Sequence, residues 1–392
     1  MNSVRSAIVA FLCAVFALFV GIWLGGHPEH LPGVLQDAFV DEDRALRAEV
    51  IDTIEDNFYK KVDEEKLDDA SLKGIVDSLK DPFSHYLTPK EATQFNESVS
   101  GEFEGVGMNV EEDRRGLKVL RVFERSPAEK AGILRGDLIL SVNGRSIAGV
   151  NSDVATSRIK GEAGTTVELS VMTPGEPEPR ELKVERERIE VPVASGRIVE
   201  RDGEKIGVVE LVSFSSGAHG ILRRELDELL KKGANGIVLD LRGNGGGLLT
   251  EAQLVSSIFI EDGKIVSTRG RSRPERTLEA EGDAIEEDIP VVVLVDGGSA
   301  SASEIVTGAL RDRGRATIVG TRTFGKGLVQ EVKPLSNGGV LDITVANYYL
   351  PGGKTISKAG IKPQVRAEDD PETADRDEAL PTALDTLLEQ AR

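Results

Sequence analysis

Three serines crowd the junction between two kinds of sequence. In VVVLVDGGSASASEIVTGAL, residues 291–310, a β-branched run ends and a helical pattern begins, with Ser299, Ser301 and Ser303 between them. A hydroxyl at such a turn is well placed to act as a nucleophile. The helix N-terminus offers free backbone N–H groups and a partial positive charge to a developing oxyanion. Ala300 and Ala302 leave room for a carbonyl to approach. The same residues support a plainer reading, because Ser301-Ala302-Ser303-Glu304 has the S-x-x-E spacing of a helix capping box. Only a partner elsewhere in the chain can decide between the two.

A serine hydroxyl needs a base, usually histidine. The chain has four histidines: His27, His30, His85 and His219. None sits in a recognisable catalytic or metal-binding spacing. Lysine is the substitute, and GTRTFGKGLVQ, residues 320–330, presents Lys326 between Gly325 and Gly327. To act as a base near neutrality, a lysine must titrate about 3 units below its usual 10.4, which is about 4 kcal/mol. Phe324, Leu328 and Val329 are candidate apolar surroundings. Two rival readings are an ordinary turn lysine and a phosphate-binding loop of the G-x4-G-K type. The latter needs Ser or Thr next, where this chain has Gly327.

A glycine run, LDLRGNGGGLL at 239–249, ends another strand. Gly243, Gly245, Gly246 and Gly247 could offer backbone N–H groups to an oxyanion or a phosphate, or could simply make a tight turn. The G-x-G-x-x-G spacing of a dinucleotide site is absent.

These three loops need a scaffold. From Lys205 onward β-type and helical runs alternate: strands at 206–214, 236–241, 291–296 and 316–320, helices at 218–232, 251–259 and 302–312. That alternation predicts an α/β layer structure. Residues 269–288 read as a charged loop, 368–378 as an acidic disordered tail, and 380–391 as a short helix. Upstream, Leu46, Val50, Ile54 and Phe58 share one face of a helix over 43–59. A second helix spans 67–79 and a third, short one 89–95. Short β runs at 117–122, 138–142 and 166–172, broken by glycines, set residues 100–187 apart, with an exposed hairpin loop at 172–179.

At the other extreme of hydropathy, AIVAFLCAVFALFVGIWLGG, residues 7–26, carries no charge. At about 1.5 Å per residue it can span a bilayer core of about 30 Å. Arg5 before it and acids after it predict an uncleaved signal anchor, with residues 1–6 cytoplasmic and the remainder outside. The alternative is secretion after signal-peptide cleavage. The lone Cys13 cannot form an internal disulfide, and no metal site or cofactor is expected. With 48 basic and 67 acidic residues the net charge is −19, which disfavours nucleic acid as a partner.

The segment EGVGMNV at 104–110, followed by VLRVFERSPAEKAGILRGDLILSVNGRSIAG, resembles a PDZ domain of the bacterial protease type. In that reading Gly105, Val106, Gly107 and Met108 receive a peptide's terminal carboxylate, and the adjoining strand pairs with the peptide. DPFSHYL at 81–87, this segment, LDLRGNGGG, GSASASE and TFGKGLVQ occur in the order found in the carboxyl-terminal processing, or tail-specific, proteases, and the chain resembles that family from about Ala45 to Ile361. The resemblance implies an α/β serine protease core with a helical N-terminal region and an inserted PDZ domain. It implies Ser301 as nucleophile, Lys326 as general base and Gln330 as the residue that orients the lysine. The oxyanion hole then combines the Ala302 N–H with that of Gly246, Gly247 being the alternative. The implied layout is an anchor at 7–26, a linker at 27–43, helices at 44–98, the PDZ domain at 99–187, the catalytic core at 188–365 and a tail at 366–392. Implied partners are protein or peptide substrates with free C-termini, an activator protein, and further copies of the chain through the terminal helices. Two rivals are a non-catalytic membrane-tethered peptide-binding scaffold and a trypsin-like protease with a PDZ domain. The second would need a His/Asp pair and a G-x-S-G motif, which the chain lacks.

Overall fold

A computed structural model describes residues 42–369 and 376–390, with residues 15–16 and 20–21 of the first apolar run. The expected membrane anchor at 7–26 otherwise lies outside the described residues, as does most of the linker. Among the described residues no helix is long and apolar enough to cross a membrane. The chain divides into two compact units, Met1–Tyr86 and Leu87–Arg392.

The first unit contains helices α1 (Glu42–Asn57) and α2 (Glu64–Asp77) and most of a short strand, β1 (His85–Leu87). The second helix ends at Asp77, Lys80 then takes a left-handed φ of 54°, and Asp81 accepts hydrogen bonds from Phe83 N–H and the Ser84 hydroxyl in the turn that follows. Tyr86 donates to Asp69 at 2.8 Å. Leu46, Val50 and Phe58, which the periodicity places on one face, are exposed.

The second unit opens with α3 (Pro89–Ser100), capped by Thr88 and Glu91 and extending five residues past the sequence expectation. Strand β2 (Glu102–Gly105) pairs antiparallel with β9 (Glu187–Glu190), so the segment between them leaves and re-enters through neighbouring strands. That segment is a small β-sheet of β3 (Met108–Asp113), β4 (Gly116–Val122), β5 (Leu138–Val142), β6 (Arg145–Ser146), β7 (Thr166–Met172) and β8 (Arg180–Glu185). Helices α4 (Pro127–Lys130) and α5 (Ser152–Ile159) complete it around its own core of Leu117, Ile139, Val167 and neighbours. The 172–179 loop joins β7 to β8, as expected.

A second six-stranded sheet runs in the order β10 (Ala194–Arg201), β11 (Glu204–Leu211), β12 (Ile237–Asp240), β15 (Val291–Val295), β16 (Thr317–Gly320) and β19 (Val365–Arg366). From β11 to β19 the pairing is parallel. The strands' continuous apolar runs follow from burial on both faces. Val209, Leu239, Val293 and Ile318 pack under α6 (Ala218–Lys231), α7 (Leu249–Ser257) and α8 (Ala302–Asp312). Val208, Val238, Val292 and Val319 meet the C-terminal helix α9 (Ala379–Gln390) through Leu380, Leu384 and Leu387.

Two expectations need correction. Residues 269–288 are not simply a loop: β13 (Lys264–Gly270) and β14 (Arg273–Glu279) form a hairpin there. β13 also pairs with β18 (Val340–Tyr349), which pairs in turn with β17 (Leu328–Pro334). The acidic tail is held at both ends of its undescribed stretch. Arg242 binds Asp240, Asp369 and Asp377 at 2.7–2.9 Å, and Asp369 and Asp377 then cap the start of α9.

Candidate active site

Three neighbouring parallel strands, β12, β15 and β16, send out the three loops singled out by sequence. The glycine run follows β12, the serine turn follows β15 and the Lys326 loop follows β16. Carboxyl ends of adjacent parallel strands are where open α/β sheets place their ligands, because the loops diverge there and leave a crevice. Here the crevice is a cleft of about 250 Å³ whose lining includes Gly247, Ser301, Ala302, Lys326, Gln330 and Tyr348.

The structure separates the three serines. Ser299 is buried and its hydroxyl donates to Leu241 O at 2.7 Å. Ser303 is buried and donates to Asn244 O at 2.8 Å. Both therefore stitch the serine turn to the glycine loop, and only Ser301 faces the cleft. Ser303→Ala should cost about 1 kcal/mol of stability, the net worth of one hydrogen bond, and Ser299→Ala more, because the Ser299 hydroxyl also accepts the Asp296 N–H. Denaturant unfolding would show the loss. A larger loss of peptide cleavage than in Ser301→Ala would remove Ser301 from its special position.

Ser301 has φ 54° and ψ −112°, a backbone conformation that non-glycine residues rarely adopt. Strain of this kind costs on the order of 1–3 kcal/mol and persists only where surroundings enforce it. Here the Ser301 carbonyl accepts the N–H groups of Glu304 and Ile305. As the first helical residue, Ala302 has no intrahelical acceptor for its N–H, and it lines the cleft.

The glycine loop packs directly on this turn. A Cβ on Gly246 would lie 2.8 Å from Ala300 O and 2.9 Å from Ala302 N, so only glycine fits. Gly246 is buried and its N–H donates to Asn244 Oδ1 at 2.9 Å. In this arrangement the Asn244 side chain occupies the Gly246 N–H. Gly247, the alternative, is exposed along the cleft.

The lysine loop is pinned from several sides. Phe324 N–H donates to Ser299 O, Lys358 N–H to Gly325 O and Tyr348 N–H to Gly327 O. A Cβ on Gly327 would meet Ser357 N at 2.5 Å, which accounts for that glycine. Leu328 and Val329 line the cleft as expected, but Phe324 is 59% exposed and shields nothing. Gln330 shares the cleft with Lys326, and its Nε2 donates to Thr344 Oγ1 at 3.3 Å. A register shift at Val329/Gln330 in the β17–β18 ladder sits at this point. Of the two described histidines, neither His85 nor His219 lines the cleft. His219 instead binds Glu251 at 2.8 Å.

Sequence reasoning missed Tyr348. It is buried, its hydroxyl donates to the Lys326 carbonyl, and it lines the cleft together with Ser301. Burial, reinforced by the negative Glu304, holds its phenol well above the usual tyrosine range, so the hydroxyl stays protonated. No local signal marks it, since only the β17–β18 pairing carries it to the cleft.

Residues 205–367 match peptidase family S41, residues 93–172 the PDZ domain, and residues 42–91 the activating protease CtpB N-terminal domain. The carboxy-terminal processing protease CtpA of Bacillus subtilis (strain 168) is 39% identical over 316 residues, 80% of this chain and 67% of the relative. The chain belongs to the carboxyl-terminal processing proteases of peptidase family S41. A "Probable CtpA-like serine protease" of Staphylococcus aureus (strain COL) is 39% identical over 312 residues, 79% of this chain and 62% of that protein. This chain thus spans about two thirds of the length of the curated relatives it matches. A solved structure from Bacteroides fragilis assigned to the S41 proteases shares the fold at 22% identity. Its TM-score is 0.51, covering 86% of this chain and 90% of the other.

The inserted PDZ domain of this S41 protease carries a second cleft, of about 430 Å³. Val106, Gly107, Met108, Phe123, Ile159 and Lys160 are among its lining residues; Gly105 is not. Among the described residues strand β3 pairs on one side only, with β4, leaving an edge open to an added strand. Helix α3 stands between the two clefts. Its Gln94, Glu97 and Ser98 line the PDZ cleft and its Phe95 and Val99 the protease cleft. Glu97 is ion-paired with Lys160 at the PDZ cleft.

Proposed function

We propose that the protein is a serine endopeptidase that cleaves protein substrates near their C-termini with Ser301 as nucleophile and Lys326 as general base. The observation that carries this reading is the meeting of Ser301 and Lys326 in one cleft that neither described histidine enters. Neutral Lys326 takes the proton from the Ser301 hydroxyl as oxygen attacks the scissile carbonyl. The N–H groups of Ala302 and Gly247 receive the oxyanion, and Lys326 returns the proton to the leaving amine. Gln330 orients the lysine. Water then hydrolyses the acyl-enzyme by the same path.

The PDZ cleft selects the substrate. The terminal carboxylate is received by the N–H groups around Gly105–Met108, and an apolar last residue enters among Val106, Met108 and Ile159. Because α3 is a wall of both clefts, occupancy of one is felt at the other. The proposed setting is the extracytoplasmic face of a membrane, through residues 7–26. Recovery of a shortened chain lacking those residues from the medium would favour secretion instead. The exposed Leu46, Val50 and Phe58 face is the proposed contact with further copies, which concentration-dependent sedimentation would reveal.

The test compares a peptide ending in an apolar residue with its C-terminally amidated twin. Loss of a charge-assisted hydrogen bond should weaken binding and kcat/KM by about 10- to 150-fold. Equal cleavage of both would end the tail-specific reading. Binding of the free peptide without any cleavage would leave a scaffold rather than an enzyme.

A further inference from the structure

Glu304 is wholly buried in the first turn of α8, with 0% of its surface exposed. A buried carboxylate is costly unless every lone pair is used, and this one is surrounded by donors. Oε1 accepts the Thr323 hydroxyl at 2.5 Å and the Gly325 N–H at 2.8 Å. Oε2 accepts the Ser301 N–H at 3.0 Å and the Lys326 N–H at 2.9 Å. A helix cap explains the bond to Ser301 alone. The other three donors come from the loop after β16, which a cap has no reason to reach.

One oxygen therefore holds the backbones of both reacting residues. Their nitrogens can be no farther apart than the sum of 3.0 and 2.9 Å. The Ser301 turn is also the strained one, with φ 54°, and needs an outside hold to keep that shape. We propose that Glu304 is a positioning residue that fixes the Ser301 turn and the Lys326 loop in one relation, so that hydroxyl and amine meet across the cleft. This rests on the Ser/Lys reading above.

The experiment is Glu304→Gln in the full chain. An amide can accept at only one of its two positions, so two of the four donors lose their partner. Misplacement of the reacting groups should lower kcat about 100-fold. KM should stay within about threefold, because neither cleft loses a lining side chain. Amide hydrogen exchange should quicken at residues 299–303 and 323–328 and stay unchanged in the PDZ sheet. A purely packing role would lower the melting temperature without separating kcat from KM. A folded Glu304→Gln with wild-type kcat, or with wild-type exchange in both segments, overturns the proposal. If that variant does not fold, Thr323→Val removes one donor at nearly constant shape. It should lower kcat about tenfold and quicken exchange at 323–326; wild-type behaviour in both overturns the proposal. Failure of the underlying reading shows separately, as cleavage that survives Ser301→Ala and Lys326→Ala. The exchange measurement then decides the fate of the Glu304 tie by itself.

Discussion

Ser301→Ala should abolish peptide cleavage while leaving a folded protein. Removing the nucleophile of a serine peptidase costs on the order of 10⁶ in kcat, because no neighbouring group can form the acyl-enzyme. Ser299 and Ser303 cannot take over, since their hydroxyls are buried and committed to Leu241 O and Asn244 O. Stability should change little, as alanine meets the same backbone strain at φ 54°. Ser301→Gly, which suits that conformation, should be more stable than the alanine variant by about 1 kcal/mol. The rival reading makes the opposite forecast. A mere cap would cost about 0.5–2 kcal/mol of stability on truncation and leave cleavage intact. Normal turnover by Ser301→Ala, measured by mass spectrometry of a tail peptide, would end the nucleophile assignment.

The second large effect belongs to Lys326. Lys326→Ala should be inactive at every pH, and Lys326→Arg should fail equally because guanidinium does not give up its proton. The sign of the pH dependence follows from the role. A lysine acts as a base only when neutral, and the neutral fraction rises with pH, so wild-type kcat/KM should climb through the lysine's pKa. Lys326→Arg keeps the positive charge and most of the length, so it isolates proton transfer from electrostatics. A flat wild-type profile from pH 5 to 9, with chemistry limiting, would count against a lysine base. So would substantial turnover by Lys326→Arg.

Much of this was legible before any coordinates. The apolar runs that become β11, β12, β15 and β16 are continuous because both sheet faces are covered. That continuity is a property of composition, and it located three loops at three strand ends. The hairpin β13–β14 was read as a loop because its second strand, RPERTLE, buries only Leu278 and so shows no alternation. Acidity alone suggests a solvated tail, yet at its described ends Asp369 and Asp377 bind Arg242.

By itself, then, the sequence determined which residue types could do chemistry, that Ser301 and Lys326 were among the candidates, and that an α/β layer structure carries them. Residue identity and local spacing suffice for that, whereas the PDZ insertion and the residue roles came from the resemblance to a known family. Tertiary structure alone decided which of three serines faces a cleft, since Leu241 O and Asn244 O claim the other two. It gave the Gly246 N–H a partner in the Asn244 side chain, a contact that local spacing does not forecast. It also brought in Glu304 and Tyr348, whose bonds to the Lys326 loop join elements about 20 residues apart. Such choices depend on how a carbonyl or carboxylate from another strand divides its lone pairs, and no local pattern encodes that division.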